Sequence, residues 1–423
     1  MIRVLVLGGG AREHALVWAC RQSVLPEAVL CAPGNGGTGA QAENVGLRAD
    51  DVDGIARLVS DRAIELVVLG PEAAVAAGIA DRCAELGVAC FGPTREAGRI
   101  ESSKAFAKQL MDGAGIPTAR WQAGGAGARA DLLGFVRELG GAGVVKADGL
   151  AAGKGVTVCD DLEQAERALD ACLRDQRFGQ SGATVVVEER LVGREVTVLA
   201  FCDGENVRML PPVCDYKRAL EGERGENTGG MGAYAPPLHL DPQELLATAR
   251  AQVIEPAVAA LAARGTPYRG CLYAGLMLTA GGLRVLEFNA RFGDPEAQVV
   301  LPLVAEDIVE LMGACAVGSL PAGNVRLHGG AAVGVVLASA GYPGPVTTGH
   351  VISGLDHREH HHGHVFHGGT ERAADGTVRT AGGRVVTVVG RGDDVAEARR
   401  RAYGRAADIT FAGVTSRGDI GVP

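Results

Sequence analysis

The stretch VVKADGLAAGKGV, residues 144–156, carries the strongest fold signal in the sequence. Two β-branched residues before Lys146 predict a short strand, and GVTV at 155–158 predicts the strand that returns. The connection contains glycine, alanine and lysine, so backbone N–H groups can approach an anion while ammonium groups supply charge. The residue order differs from GxxxxGK[ST] and GxGxxG, two common phosphate-binding patterns. We therefore predict a hairpin that binds a nucleotide polyphosphate.

Lysine is rare in this chain, and its positions support that prediction. Only five of the 41 basic residues are lysine, at positions 104, 108, 146, 154 and 217. Two of them lie in the hairpin, which indicates a need for compact ammonium groups where arginine would not serve. The alternative is a solvated hairpin whose lysines have no particular role.

The composition is that of a soluble globular protein. The 423 residues are enough for two to four domains, and 47% are hydrophobic. A net charge of −9 argues against nucleic acid or an anionic membrane as a partner. The sequence predicts no signal peptide and no membrane-spanning run. Ten cysteines without a CxxC pair predict reduced thiols, so we expect a cytoplasmic protein, with a monomer as the expected state.

Residues 1–101 alternate between strand and helix patterns. Strands are predicted at 3–7, 28–32, 65–69 and 88–91, and helices at 12–23, 51–62 and 73–86. This order predicts an open parallel sheet that binds ligands at the carboxyl ends of its strands. The loops at 8–14, 33–37 and 70–72 then lie at one edge.

The first of these loops, GGGAREH, resembles a dinucleotide fingerprint only in part. Glu13 stands where the third glycine should be. We predict instead a sugar phosphate at the helix N-terminus, bound by the amides of Gly9 and Gly10. The alternative is that the glycines only permit tight turns. His14 is predicted to be a packed or capping residue.

A compact module is predicted around the hairpin. A helix opens at Ser102-Ser103-Lys104, a small-residue linker follows at 123–129, and helices at 130–139 and 162–174 flank the hairpin. We interpret this module as a mobile lid with a glycine hinge. A strand at 184–188 ends in Glu188 and Glu189, whose carboxylates could accept hydrogen bonds from adenine and ribose. A solvated strand end is the alternative.

The segment EFNARFGDPE, residues 287–296, is the second strong signal. Glu287, Asn289 and Arg291 alternate along a predicted strand, so they share one face at steps of about 6–7 Å. A carboxylate and an amide oxygen suit Mg²⁺, and Arg291 can bind a carboxylate or a phosphoryl group. An ordinary charged strand edge would not explain an asparagine where β-propensity disfavours it.

Further predictions cover the rest of the chain. Residues 215–234 are predicted as a long functional polar loop, followed by a helix at 243–264 and strands at 272–278 and 283–288. Beyond residue 325, strands are predicted at 334–339, 350–352, 364–367 and 385–389, with a helix at 395–406. The histidine-rich run at 357–367 is predicted to be a solvated loop, because no metal-binding frame accompanies it.

These motifs resemble the ATP-grasp superfamily and, within it, the glycinamide ribonucleotide synthetases, over essentially the whole chain. The segments are GGGAREHAL, APGNGGT, GPEA, ESSKAF, VVKADGLAAGKGV, NTGGMGAY, LYAGLM, EFNARFGDPEAQ and GYPG. The run at 291–298 is specific to this ligase family, whereas the lysine hairpin indicates only the superfamily. Glu226 stands where the family has proline, and the histidine-rich run is not a family feature.

The resemblance implies an α/β and α+β multidomain fold. Residues 1–101 would form an N-terminal open parallel α/β sheet domain that binds substrate. Residues 102–324 would form the two-part ATP-grasp fold, with the lid near 120–190, and residues 325–423 a small β-rich domain.

The resemblance also implies site residues. ATP would contact Lys104, Lys146, Gly149, Gly153, Lys154, Gly155, Glu188, Glu189, Leu191 and Glu195. Glu287 and Asn289 would hold Mg²⁺ or Mn²⁺. The substrates would contact Gly9, Gly10, Arg12, Glu13, Asn35, Glu72, Asp215, Lys217, Asn227, Gly229, Gly230, Arg291 and Asp294. Of these residues, Lys146, Arg291 and Asp294 would be catalytic.

The implied activity is ATP-dependent ligation of glycine to 5-phosphoribosylamine through a glycyl phosphate, in purine biosynthesis. Two alternatives stay open. One is another ATP-grasp carboxylate–amine ligase or carboxylase, which would share the hairpin but not the run at 291–298. The other is a nucleotide-binding regulatory module without chemistry.

Overall fold

The N-terminal region is an open parallel sheet with helices on both faces. The structure, a computed structural model, describes residues 1–151, 155–355 and 363–422. The strands are β1 (Ile2–Gly8), β2 (Pro26–Pro33), β3 (Glu43–Asn44), β4 (Leu66–Leu69) and β5 (Ala89–Phe91), and the helices are α1 (Ala11–Gln22), α2 (Val52–Asp61), α3 (Glu72–Ala77) and α4 (Ile79–Leu86). The strand order is β3-β2-β1-β4-β5. Leu5 and Leu7 of β1 pack with α2 and α4, whereas Val4 and Val6 pack with α1. The predicted parallel sheet is confirmed.

One helix of this region differs from its prediction. The pattern predicts a single helix over 73–86, but two helices form because the chain breaks at Gly78. Gly78 has φ +85°, a left-handed conformation that ends helices and favours glycine. Glu72 therefore begins a short separate helix at the carboxyl end of β4.

The next region is a four-stranded antiparallel sheet with its own core. Its elements are α5 (Arg99–Ser102), α6 (Lys104–Ala114), β6 (Trp121–Gly124), α7 (Arg129–Glu138), β7 (Gly143–Ala147), β8 (Val156–Cys159), α8 (Leu162–Leu173) and β9 (Val185–Glu188). The sheet order is β6-β9-β7-β8, and Leu132, Val136 and Leu169 lie in a separate apolar cluster beneath it. The predicted linker at 123–129 is wrong in its first half, because Ala123 and Gly124 pair with β9.

A second antiparallel sheet carries the strand that ends at Asn289. The strands are β10 (Arg194–Asp203), β11 (Val207–Met209), β12 (Cys214–Asp215), β13 (Arg218–Leu220), β14 (Arg224–Asn227), β15 (Gly232–Ala235), β16 (Arg269–Thr279) and β17 (Gly282–Asn289). Four of them form the sheet β11-β10-β16-β17. The segment predicted as one long loop at 215–234 contains the β13–β14 hairpin, so its polar character reflects exposed strands.

The C-terminal region completes a mixed set of sheets. Its elements are α11 (Glu296–Val300), α12 (Ile308–Val317), β18 (Ala331–Ala338), β19 (Gly363–His367), β20 (Thr370–Arg372), β21 (Val378–Thr380), β22 (Arg384–Gly392) and α13 (Val395–Ala407). The main sheet has the order β12-β15-β18-β22-β19. Strands from both sides of residue 324 therefore share hydrogen bonds, and the sheet crosses the expected domain boundary.

One helical stretch differs from the prediction that no run could span a membrane. The helices α9 (Pro242–Ala249) and α10 (Glu255–Ala263) join through a π-helical segment, Arg250–Ile254. The combined stretch is 22 residues long, and an 18-residue window within it has a mean hydropathy of 1.3, which satisfies the length and composition of a span. Val253 and Leu261 are fully buried in the apolar core beside β10 and β16, so we interpret the stretch as a core helix.

Candidate active site

Loops of the N-terminal sheet meet the end of β17. Arg12, in the first turn of α1, donates from NH1 to Phe292 O at 3.2 Å. Arg291, two residues beyond β17, places Nε 3.2 Å from Glu72 Oε2. These contacts join the loops after β1 and β4 to the segment after β17. The structure thus brings the edge predicted to bind substrate to the segment predicted to bind metal.

Glu13 occupies the position at which the sequence predicts a phosphate. Its carboxylate accepts hydrogen bonds from the Gly10 amide and from Arg12 Nε, each at 2.6 Å. Glu13 is buried, and a Cβ on Gly8 or Gly70 would overlap it. The Gly10 amide donates to the Glu13 carboxylate here, and its contact with a phosphate stays a prediction.

Asn35 holds separate loops together. Its Nδ2 donates to Gly9 O at 3.0 Å and to His367 O at 2.6 Å. Its Oδ1 accepts from the amides of Gly37 at 2.9 Å and Thr38 at 3.0 Å. Both ends of this side-chain amide are used within the protein. Asn35 therefore positions the loop that carries Gly9, and its contact with a substrate stays a prediction.

Arg291 lies between two carboxylates. Its NH2 is 2.9 Å from Glu101 Oε1, and its Nε faces Glu72. Burial raises the pKa of the Glu101 carboxyl, although Arg291 opposes that shift. The same oxygen pair is fixed from the other side, because Ala290 N donates to Glu101 Oε2 at 2.8 Å. Arg291 is thus a rigidly held, partly exposed cation at the end of β17.

Asp294 is paired with an arginine that the sequence reasoning missed. Arg384 NH1 lies 3.1 Å from Asp294 Oδ1 and donates to Gly229 O at 2.7 Å. Tyr342, from the GYPG segment, accepts a hydrogen bond from Gly229 N at 2.9 Å. Burial raises the pKa of Asp294, but Arg384 and other cations outweigh it and the net pKa is lowered. Arg384 therefore ties Asp294 to the loop that carries Gly229 and Gly230.

The ammonium group of Lys217 faces the carboxylates of Glu195 and Asp215, which are predicted to contact different ligands. Its Nζ is 3.1 Å from Glu195 Oε2 and 3.9 Å from Asp215 Oδ2. The Glu195 carboxylate faces an ammonium group here, and its contact with ribose stays a prediction. Burial raises the pKa of Asp215, although Lys217 opposes the shift. Asn227, at the end of β14, is exposed.

Lys146 belongs to a buried chain of charges beneath the lid sheet. Its Nζ lies 2.8 Å from Glu188 Oε1 and donates to Leu286 O at 3.1 Å. Lys108 Nζ lies 3.0 Å from Glu188 Oε2 and 2.7 Å from Thr118 Oγ1. Glu188 is 2% exposed. Two ammonium groups face its carboxylate, and a contact between Glu188 and adenine stays a prediction.

The start of α6 is joined to the hairpin. Ala105 N donates to Asp148 Oδ1 at 2.6 Å, and Lys104 Nζ donates to Gly149 O at 3.3 Å. Burial lowers the pKa of Lys104, although Glu287 opposes the shift. The charges of Lys104 and Lys146, which lie on two different elements, both lower the pKa of the Glu287 carboxyl. Of the other predicted ATP contacts, Gly155 directly precedes β8, Glu189 and Leu191 follow β9, and Gly153 and Lys154 lie outside the described residues.

Glu287 and Asn289 offer two oxygen ligands on one face of β17, while Phe288 between them is buried in the core. Burial raises the pKa of Glu287, but Lys217, Lys146 and other cations outweigh it, so the net pKa is lowered. A lowered pKa keeps the carboxylate charged, as a metal ligand must be. Within the described residues, no cluster of three or more His, Cys, Asp or Glu side chains could hold a metal alone. The pair fits a divalent ion that takes its remaining ligands from phosphates and water.

The functional residues that sequence reasoning missed share one property. Glu101, Lys108 and Arg384 are charged residues far along the chain from their partners. Glu101 precedes Ser102 in the ESSKAF segment, and Lys108 is one of the five lysines in the chain, so both positions give a weak sequence signal of a functional role. Arg384 lies in an ordinary strand and carried none.

Comparison with known proteins agrees with this architecture. Family models described as phosphoribosylglycinamide synthetase match residues 2–101 (N domain), 102–297 (ATP-grasp domain) and 332–423 (C domain). A phosphoribosylamine–glycine ligase from Nostoc sp. is 49% identical over 426 residues, covering 99% of each chain.

Solved structures give the same result. The crystal structure of the phosphoribosylamine–glycine ligase from Thermotoga maritima has a TM-score of 0.86 at 33% identity and covers 99% of this chain and 100% of its own. A biotin carboxylase domain from Hydrogenobacter thermophilus shares the fold alone, with a TM-score of 0.77 at 17% identity, covering 98% of this chain and 92% of its own. The chain therefore belongs to the phosphoribosylglycinamide synthetase family of ATP-grasp ligases.

Proposed function

We propose that this protein joins glycine to 5-phosphoribosylamine at the expense of ATP, giving glycinamide ribonucleotide, ADP and phosphate. The observation that carries the proposal is the ion pair between Arg291 and Glu72. It joins the family-specific run at 291–298 to the N-terminal sheet. A carboxylate activated near Arg291 would face a substrate held by that sheet. The proposal also rests on relatives that bear this activity in their names over the whole chain.

The chemistry has two steps. A glycine carboxylate oxygen attacks the γ-phosphorus of ATP, the bond to the β–γ bridging oxygen breaks, and ADP leaves. The amine of phosphoribosylamine then attacks the carbonyl carbon of glycyl phosphate. The carbon–oxygen bond to phosphate breaks, phosphate leaves, and the amine nitrogen loses a proton. Neither step needs a nucleophilic side chain, so positioning and charge neutralisation are what the protein supplies.

The described residues divide this work. Lys104 and Lys146 would neutralise the ATP phosphates beside the backbone of Gly149 and Gly155. Gly153 and Lys154, which lie outside the described residues, would also contact ATP, as the resemblance implies. Glu287 and Asn289 would hold Mg²⁺ or Mn²⁺, and such an ion supplies charge stabilisation to the transferring phosphoryl group. The lid sheet would exclude water from the acyl phosphate.

Arg291 would bind the glycine carboxylate, with Glu72 and Glu101 fixing the orientation of its guanidinium. Asp294, held by Arg384, would lie beside it. Phosphoribosylamine would lie between Arg12 and Glu13 on one side and the segment from Asp215 to Gly230 on the other. We expect the enzyme to act as a monomer in the cytoplasm.

A substrate-omission assay tests the proposal. ADP release should require ATP, Mg²⁺, glycine and phosphoribosylamine together, and glycinamide ribonucleotide should form in equal amount. Bicarbonate and formate serve as the controls, since the fold is shared with biotin carboxylases. Full turnover with either acid in place of glycine would overturn the assignment.

A further inference from the structure

We infer that Arg417 is a positioning residue for the phosphoribosylamine site, acting through the loop that carries Lys217. The inference rests on the proposed function. Two segments are involved: the C-terminal strap, defined as residues 415–422, and the substrate loop, defined as residues 215–232. They are almost two hundred positions apart in sequence, yet they contact each other along most of the strap.

Arg417 is the centre of this contact. It is 1% exposed, so every part of its guanidinium needs a partner within the protein. NH1 donates to Arg218 O at 3.0 Å, and NH2 lies 2.8 Å from Glu223 Oε1. The guanidinium carbon is 4.7 Å from the centre of the Tyr216 ring. Asp419 accepts from Nε at 2.8 Å and from NH2 at 2.7 Å.

Other strap residues hold the same loop. Tyr216 Oη donates to Val422 O at 2.9 Å and accepts from Gly421 N at 3.1 Å. Farther along the β13–β14 hairpin, Gly222 N donates to Asp419 Oδ2 at 2.9 Å. The strap therefore grips the base of the substrate loop at Tyr216 and the hairpin near its turn.

The strap is itself fixed to α13. Tyr403 Oη donates to Arg417 O at 2.7 Å, and Arg399 Nε donates to Ile420 O at 3.0 Å. The packing of α13 against β18 and β22 thus defines where the strap, and through it the substrate loop, is placed. Arg417 connects a rigid element to a polar loop whose own strands are short.

Hydrogen bonds also connect Tyr216 and Lys217 to the part of the substrate loop that carries the other proposed substrate contacts. Met231 N donates to Tyr216 O at 2.8 Å, and Thr228 N donates to Lys217 O at 2.7 Å. Thr228 Oγ1 in turn accepts from Gly230 N at 2.9 Å. A shift of Tyr216 must therefore move Lys217 and the turn that ends at Gly230. Arg417 contacts neither of those residues directly, so its effect passes through Tyr216 and the hairpin.

The test compares Michaelis constants across variants. Arg417→Met keeps an unbranched side chain but removes the guanidinium, and with it the charge and the hydrogen bonds. Arg417→Lys restores the charge, and Tyr216→Phe removes only the hydroxyl that joins the loop to the strap. Arg208→Met is the matched control, because Arg208 is also a buried arginine paired with a carboxylate, Glu306, but lies on β11.

Arg417→Met should raise KM for phosphoribosylamine by about tenfold, since the loop must then be ordered when substrate binds. KM for ATP should change by less than about twofold, because Lys104 and Lys146, the proposed phosphate contacts, lie outside the loop and are held by other segments. Arg417→Lys should recover part of the loss, and Tyr216→Phe should show a smaller rise in the same constant. Phosphoribosylamine can be formed in the assay from ribose 5-phosphate and ammonia.

Unchanged KM for phosphoribosylamine in a folded Arg417→Met protein would overturn the inference. So would a uniform change in all three Michaelis constants that Arg208→Met reproduces, because that pattern reports general destabilisation. Should Arg417→Met fail to fold, Tyr216→Phe decides by the same criterion. The parent enzyme separates the two proposals. If it forms no glycinamide ribonucleotide, the proposed function is rejected. If it forms this product and the variants have the same KM for phosphoribosylamine as the parent, only the role of Arg417 is rejected.

Discussion

Individual buried charges in this protein occur in pairs and chains, and these pairings decide what each substitution would do. Glu188 lies between the ammonium groups of Lys146 and Lys108. Burial lowers the pKa of Lys108 to about 8, although Glu188 opposes the shift. The second lysine means that loss of Lys146 does not leave Glu188 as an unpaired buried charge. The site can therefore be altered at Lys146 with the fold preserved.

Lys146→Ala should weaken ATP binding by about ten- to hundredfold, because hydrogen bonds between charged groups contribute about 1.5–3 kcal/mol each. Titration of the variant with ATP in a calorimeter measures the change directly. Arg167→Ala is the control, since Arg167 is exposed on α8 and its ion-pair partner among the described residues is Glu163. An affinity equal to that of the parent would mean that Lys146 does not contribute to ATP binding.

Glu287→Gln should reduce kcat by about 10–100-fold, by analogy with the loss of groups that support a metal site. The substitution keeps the shape and one oxygen but removes a charge next to the transferring phosphoryl group. ATP affinity should survive largely through the lysines. Steady-state kinetics at saturating Mg²⁺, with a separate ATP titration, distinguish the two effects. Equal turnover in parent and variant would show that Glu287 does not hold the metal.

Among the elements, the substrate loop depends most on its backbone conformation. Gly230 has φ +113°, and a Cβ there would overlap Pro295 Cδ. Its carbonyl lies 3.4 Å from Arg384 NH1, which also holds Asp294. The glycine therefore lets the loop approach the segment after β17 closely.

Gly230→Ala should destabilise the protein by about 1–3 kcal/mol, because alanine is strained at this φ. It should also raise KM for phosphoribosylamine, since the loop must move away from Pro295. Gly404→Ala is the control: Gly404 is exposed within α13, and outside the helix's own backbone no atom of the described residues lies within 4 Å of its added Cβ. That change should stabilise the helix by about 0.5–1 kcal/mol. Urea denaturation with parallel kinetics measures both, and equal stability of Gly230→Ala and parent would contradict the strain argument.

At the scale of the whole molecule, a pair of histidines joins the N-terminal sheet to the C-terminal one. His14 on α1 accepts a hydrogen bond at Nδ1 from His367 N, at the end of β19, at 2.8 Å. His14 is buried and its Nε2 has no partner among the described residues. The prediction that His14 is a packed residue agrees with this geometry. Burial lowers the pKa of His14 to about 3 and that of His367 to about 4, with neighbouring positive charge adding to both shifts.

These shifts predict a loss of stability in mild acid. Each histidine has an ordinary pKa of 6.5 and a lower one when folded. Between those values the unfolded chain binds more protons than the folded one. The free energy of unfolding therefore has its full value above pH 6.5 and decreases as the pH drops toward 4. The limiting slope is about 1.4 kcal/mol per pH unit for each histidine.

Denaturation midpoints between pH 7.5 and about 4.5 measure this loss. His14→Asn is the comparison, because its side-chain oxygen can accept from His367 N without titrating. The variant should show a shallower decline than the parent. Parallel curves for the two proteins would mean that carboxylates elsewhere, and not this histidine, cause the acid sensitivity.

The sequence by itself determined the elements and the family. Alternation of apolar runs with helical patterns fixed the parallel sheet, since a strand at residues 3–7 or a helix at 12–23 depends mostly on its own residues. The lysine hairpin formed between β7 and β8 for the same reason. The single helix predicted over 73–86 is wrong, because Gly78 adopts a left-handed conformation that interrupts an otherwise regular helical pattern.

Only the tertiary structure decided the partners of the charged residues. Arg291 meets Glu101, Asp294 meets Arg384, and Glu188 meets Lys108, each across a long stretch of chain. Local propensity carries no information about such pairs, because they form only when separate elements pack and burial makes an unpaired charge costly. The same packing placed Arg417 under Tyr216, which no motif indicated. The sequence therefore named most residues of the candidate site, while packing determined which of their charges remain available to a ligand.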